Sequence, residues 1–125
     1  MDQMRDIRDT FMEEYSSARV LKRMNKLKSS VILLSKSVFA LCDYAIYKKY
    51  GKLPKNHSDR FRILKIKEKN IYRIVDSVWS KYTDTYSKPS KEESFNLLNK
   101  AVMEIVKNED FDKEIKKIIE EQGNN

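Results

Sequence analysis

Apolar residues recur along most of this chain at spacings of three and four, the period of an α-helix. In the segment Gln3–Asn25 the residues Met4, Ile7, Phe11, Tyr15, Ala18, Leu21 and Met24 fall on one stripe. Ser16-Ser17 lies inside it, and two serines weaken a helix without breaking it. The segment Lys26–Tyr50 has two apolar faces, one of Val31, Leu34, Val38, Leu41 and Ala45, the other of Ile32, Phe39 and Ile46. A helix apolar on two sides needs more than one neighbour, so this one is the centre of a bundle or part of a dimer interface.

A long third helix is predicted over Ser58–Tyr86, where Phe61, Leu64, Ile71, Val75, Val78 and Tyr82 keep the spacing. Glu68 occupies the stripe position between Leu64 and Ile71 and is expected to pair with a lysine or reach solvent. Trp79, Tyr82 and Tyr86 read as core and interface packing rather than as platforms for stacked bases. Ser87-Lys88-Pro89 interrupts the pattern. Ser90 and Glu93 then fit a capping box that opens a fourth helix running to about Asn108, with Phe95, Leu98, Val102 and Ile105 inward. A shorter helix follows Glu109-Asp110, carries Phe111, Ile115, Ile118 and Ile119 on one face, and ends at Gly123. The expected class is all-α, an up-and-down four-helix bundle with an additional short C-terminal helix, forming a single domain over residues 1–125.

Composition agrees with that class. A chain of 125 residues with two glycines and two prolines has the length for one core and too few turn residues for a loop-rich β protein. No run of eighteen apolar residues occurs, so no membrane span is expected. The acidic stretch Met1–Glu14 does not look like a signal peptide. Cys42 stands alone among apolar neighbours and reads as a core thiol, which together with the absence of a disulfide framework suggests a cytoplasmic protein.

The net charge of +7 is unevenly distributed. Residues 1–15 and residues 76–125 each carry a balance of −3, whereas residues 16–75 hold sixteen basic against three acidic side chains. Such a block is the footprint of a nucleotide or nucleic-acid binder. A solvated lysine face that balances the acidic flanks, within the fold or across a dimer, is the competing reading.

The block converges on Tyr44–Lys65. Gly51 and Pro54 stop one helix there, and Asn56, Ser58 and Asp59 are able to start the next. Lys52, Lys55, His57 and Arg60 thus gather near a helix N-terminus, where unpaired backbone N–H groups favour anions. These four are the candidate phosphate-binding residues. Other chemistries lack support: one histidine and one cysteine give no metal framework, and no G-x-S-x-G elbow, P-loop or G-x-G-x-x-G is present. No cofactor is implied. A histidine beside lysine or arginine does hold the minimum for metal-free phosphodiester cleavage, with His57 as base or acid and Lys52 stabilising charge. His57 can equally contact a ligand or serve only to cap and pack.

The run Y-G-K-L-P-K-N-H at Tyr50–His57, the following R-F at Arg60-Phe61, and Lys81-Tyr82-Thr83-Asp84-Thr85-Tyr86 before the Ser-Glu-Glu start of a helix with Leu98 and Ala101 resemble the small prokaryotic HEPN family. The match covers about residues 18–108, leaving an N-terminal helix and a tail over 109–125. The resemblance implies a four-helix bundle, commonly a homodimer, that binds nucleotides or RNA. It also implies a two-component, toxin–antitoxin-like setting with a minimal nucleotidyltransferase as partner. Nuclease members of that family carry R-x(4–6)-H, which here becomes Lys52-x4-His57, and lysine lacks the planar fork that grips phosphate bidentately. Three expectations follow: a non-catalytic or weakly catalytic binder using Lys52, Lys55, His57 and Arg60; a metal-independent endoribonuclease; or a bundle that binds only a protein, through its second helix or Glu109–Gln122.

Overall fold

The computed structural model describes residues 3–108, 111 and 113–122. Among them lie six α-helices and no strand: α1 (Gln3–Arg23), α2 (Leu27–Tyr50), α3 (His57–Lys67), α4 (Lys69–Thr83), α5 (Glu92–Asn108) and α6 (Lys113–Gln122), with a 3₁₀ turn at Asp84–Tyr86 after α4. The all-α bundle is as expected. The Glu109-Asp110 start and the Gly123 end assigned to the last helix lie outside the described residues.

α1 runs unbroken through Ser16-Ser17. Its end is a Schellman turn: Asn25 takes φ 60°, its N–H donates to the Lys22 carbonyl, and the Lys26 N–H reaches back to Leu21, both at 2.9 Å. Asparagine tolerates the left-handed conformation this turn requires. The short connection lays α2 antiparallel to α1, and the pair approaches closely because small residues face the seam. Ser30 donates from α2 to the Ala18 carbonyl of α1 at 2.7 Å, while Ser35 and Ser37 satisfy their hydroxyls on their own helix.

Side-chain pairs fix the remaining directions. Tyr15 Oη donates to Asn99 Oδ1 at 2.9 Å and Lys22 meets Glu92, so α5 runs opposite to α1. Phe39 packs on Tyr82 and Tyr50 reaches Glu68, so α4 runs opposite to α2. The result is up, down, up, down for α1, α2, α4 and α5, with α2 in the centre: Val31, Leu34, Val38, Leu41, Ala45, Phe39 and Ile46 are all buried. By length and composition α2 is apolar enough to cross a membrane, and here the other helices cover most of it. α6 turns Ile115, Ile118 and Ile119 inward, and Phe111 stacks on Tyr44 with centroids 5.2 Å apart. The buried apolar residues of α2 and α6 thus face the interior of the bundle.

Three details differ from the sequence reading. The predicted third helix is two, because Glu68 leaves helical geometry at φ −136°, ψ 65° and links α3 to α4. α5 begins at Glu92, with the Lys91 carbonyl accepting its first backbone bonds, so Ser90 is not the capping residue. Tyr86 is 75 % exposed and Met24 57 % exposed, so neither joins the core.

Candidate functional site

The junction between α2 and α3 owes its shape to Gly51 and Asn56. Gly51 adopts φ 70° and its N–H closes α2 on the Tyr47 carbonyl at 2.8 Å. Asn56 is extended and caps α3, its side-chain oxygen accepting the Asp59 N–H at 2.9 Å. Asp59 in turn accepts the Lys55 N–H at 3.0 Å and pairs with Arg62 at 2.7 Å. The Lys55 backbone bond and then Arg62 hold its carboxyl below the usual range. The start of α3 thus already has a resident anion. An incoming phosphate would meet the lysines before it met free backbone N–H groups.

Behind the cap lies a half-buried relay. Arg60 forks onto Asp43 of α2, Nε to Oδ1 at 2.8 Å and Nη2 to Oδ2 at 3.1 Å, and its third arm donates from Nη1 to His57 Nδ1 at 2.6 Å. Guanidinium nitrogens only donate, so His57 Nδ1 is the acceptor and the neutral ring carries its proton on Nε2. Burial and then the Arg60 charge lower the His57 pKa, which keeps the ring neutral. Aromatic rings clamp it: Phe39 at 4.8 Å, Trp79 at 5.2 Å and Tyr82 at 5.7 Å between centroids. Arg60 also lies 5.2 Å over the Phe39 ring. Histidine and arginine are therefore held as one unit, rigid and charge-balanced by Asp43.

Of the four expected residues, His57 and Arg60 are in direct contact. Lys52 and Lys55 sit exposed on the connecting loop, and their ammonium groups form no hydrogen bond or ion pair among the described residues. Asp43 is the member of this relay that sequence reasoning passed over. It was visible as the sole carboxylate in the helix Leu27–Tyr50, where a charge amid apolar residues demands a partner.

The other carboxylates of the basic block are also engaged. Glu68 is buried and accepts from Lys49 Nζ at 2.8 Å and Tyr50 Oη at 2.7 Å. Asp43, Asp59 and Glu68 are all the acids between residues 16 and 75, and each is bound to groups of the same block. Lys52 and Lys55 of the junction have none of these carboxylates as an ion-pair partner among the described residues.

A cleft of about 450 Å³ opens beside the relay, lined by His57, Ser58 and Phe61 of α3 and by Tyr72, Asp76 and Trp79 of α4. A wider one of about 720 Å³ lies between α5 and α6. Its lining alternates lysines with Glu104 and Glu120 and has neither histidine nor aromatic residue, so the chemistry gathers at the smaller cleft. Among the described residues no cluster of three histidine, cysteine or carboxylate side chains is arranged to hold a metal ion. No protein-family model, curated protein or solved structure matches this chain.

Proposed function

We propose that this chain is a HEPN-like bundle that binds a nucleotide or single-stranded RNA and does not cleave it, acting as a homodimer within a nucleotidyltransferase-paired system. The observation that carries this reading is the basic block of residues 16–75, whose three carboxylates are all consumed internally while Lys52 and Lys55 remain exposed. These two lysines supply the phosphate contacts. His57 offers its Nε2–H as a hydrogen-bond donor, and Arg60 acts from behind by fixing the His57 ring.

The absence of cleavage is supported by the relay. General-base catalysis needs an imidazole nitrogen with a free lone pair. Here Nδ1 is occupied by Arg60 and Nε2 carries the proton, so neither nitrogen is available to take one from a 2′-hydroxyl. Catalysis by His57 with Lys52, the alternative reading, requires the Arg60 bond to open first.

Incubating the protein with labelled single-stranded RNA in EDTA across a salt series tests the reading. Retention is expected without cleavage, with a log–log salt slope of roughly −0.7 per contacted phosphate. Replacing Lys52 and Lys55 by alanine should weaken binding and flatten that slope. EDTA-resistant cleavage lost in His57→Ala would replace this reading with a ribonuclease. Neither retention nor cleavage would point instead to a protein ligand.

A further inference from the structure

Three residues of α4 share one face at intervals of four and three: Tyr72, Asp76 and Trp79. The fully buried stripe of that helix is a different one, Ile71, Val75, Val78 and Tyr82, while Tyr72 and Trp79 are half-buried and pack against the edge of the core. α3 covers it only in part. Phe61 stands edge-on to both rings, 4.9 Å from Trp79 at 82° and 6.2 Å from Tyr72 at 90°. That arrangement leaves a slot beside a perpendicular wall. Between its two aromatic residues Asp76 is exposed and forms no hydrogen bond or ion pair among the described residues. Asp76 thus gives the cleft an uncommitted carboxylate between two aromatic residues.

We propose that this cleft is a nucleobase pocket and that the base it selects is guanine. The inference rests on the nucleotide-binding reading above and specifies its ligand. Tyr72, Trp79 and Phe61 supply the π surfaces against which a base packs. Asp76 supplies acceptors only, on two oxygens held side by side. Guanine presents two adjacent donors, N1–H and the N2 amino group, which match that pair bidentately. Adenine and cytosine place a donor next to a ring-nitrogen acceptor, so the second carboxylate oxygen would face a lone pair. His57 also lines the cleft, and its Nε2–H is a fixed donor suited to the guanine O6 acceptor. Arg60 holding Nδ1 keeps that donor from switching to an acceptor.

Trp79 is the sole tryptophan of the chain, so its emission reports on the cleft directly. The test titrates wild type with GMP, IMP and ribose 5-phosphate while following Trp79 fluorescence, and measures RNA retention in parallel. GMP should quench saturably, IMP, which lacks the 2-amino group, should bind about tenfold more weakly, and ribose 5-phosphate should leave the emission unchanged. Asp76→Asn should bring GMP down to the IMP affinity while the salt slope of RNA retention stays as in wild type. Tyr72→Ala, a change at a half-buried position, should weaken both nucleotides together. RNA retention with no more quenching by GMP than by ribose 5-phosphate would overturn the pocket and leave the lysine-driven reading standing. Equal affinity for GMP and IMP, unchanged in Asp76→Asn, would overturn the choice of guanine. Loss of retention and quenching alike would remove the reading and the pocket together.

Discussion

Asp43→Asn keeps the shape of its side chain while removing the charge that Arg60 faces. The Arg60 and Asp43 side chains are only 11 % and 23 % exposed, so the guanidinium left behind is poorly solvated. Breaking a fully buried pair costs about 3–5 kcal/mol; some water reaches this one, and we expect a loss of about 2 kcal/mol in urea unfolding. The same variant frees Arg60 to move, so the His57 ring should lose its single tautomer, visible in long-range ¹H–¹⁵N spectra. His57 also makes stability depend on pH. In the unfolded chain it takes up a proton near its ordinary 6.5, whereas the folded ring resists protonation. Below that pH the unfolded state binds more protons than the folded one. The contribution of His57 is therefore complete above about 6.5 and drains away as pH falls through the lower folded value. Urea midpoints at pH 7 and pH 5 should differ less in His57→Gln than in wild type.

Gly51 and Glu68 decide where helices stop. Gly51 has open space around its missing Cβ, so Gly51→Ala meets no clash and pays only for the left-handed backbone, about 1 kcal/mol. Gly51→Asn should cost less, a ranking that thermal melts would show. Glu68 ends α3 because its carboxylate turns inward to Lys49 and Tyr50. Glu68→Ala should cost about 1.5–3 kcal/mol, the usual worth of a hydrogen bond to a charged group, measured by urea unfolding. Here the limits of the sequence are plain. Periodicity located the helical segments, because apolar stripes at 3.6-residue spacing follow from the geometry of burial. It missed the α3–α4 break, because a lone Glu on an apolar stripe looks the same whether it snorkels to solvent or bends the chain toward a lysine nineteen positions earlier. The clustering of His57 with Arg60 was legible, since residues three positions apart on a helix are neighbours. That Asp43 needs a partner was legible as well, but the identity of that partner was not, because the pairing joins two different helices. Nor was the cleft, which depends on the angle at which α3 meets α4.

The charge balance acts on folding as well as on ligands. Like charges concentrated in the middle of the chain repel one another in the compact state, and salt screens that repulsion over about 10 Å at 0.1 M. The melting temperature should therefore rise between low and physiological salt, while RNA affinity falls over the same range. A protein with a net charge of zero would show the first effect weakly or not at all. Cys42 lies at the opposite extreme of exposure, fully buried on α2, with burial pushing its thiol to about 12. A thiol reagent cannot react with it while the bundle is closed, since only the thiolate attacks and only an open structure admits the reagent. Because α1, α3, α4 and α5 all pack on α2, that position should open only when the bundle does. The chain thus carries a built-in clock for its own unfolding: the rate at which Cys42 is labelled, followed against urea, should fall on the same line as global opening.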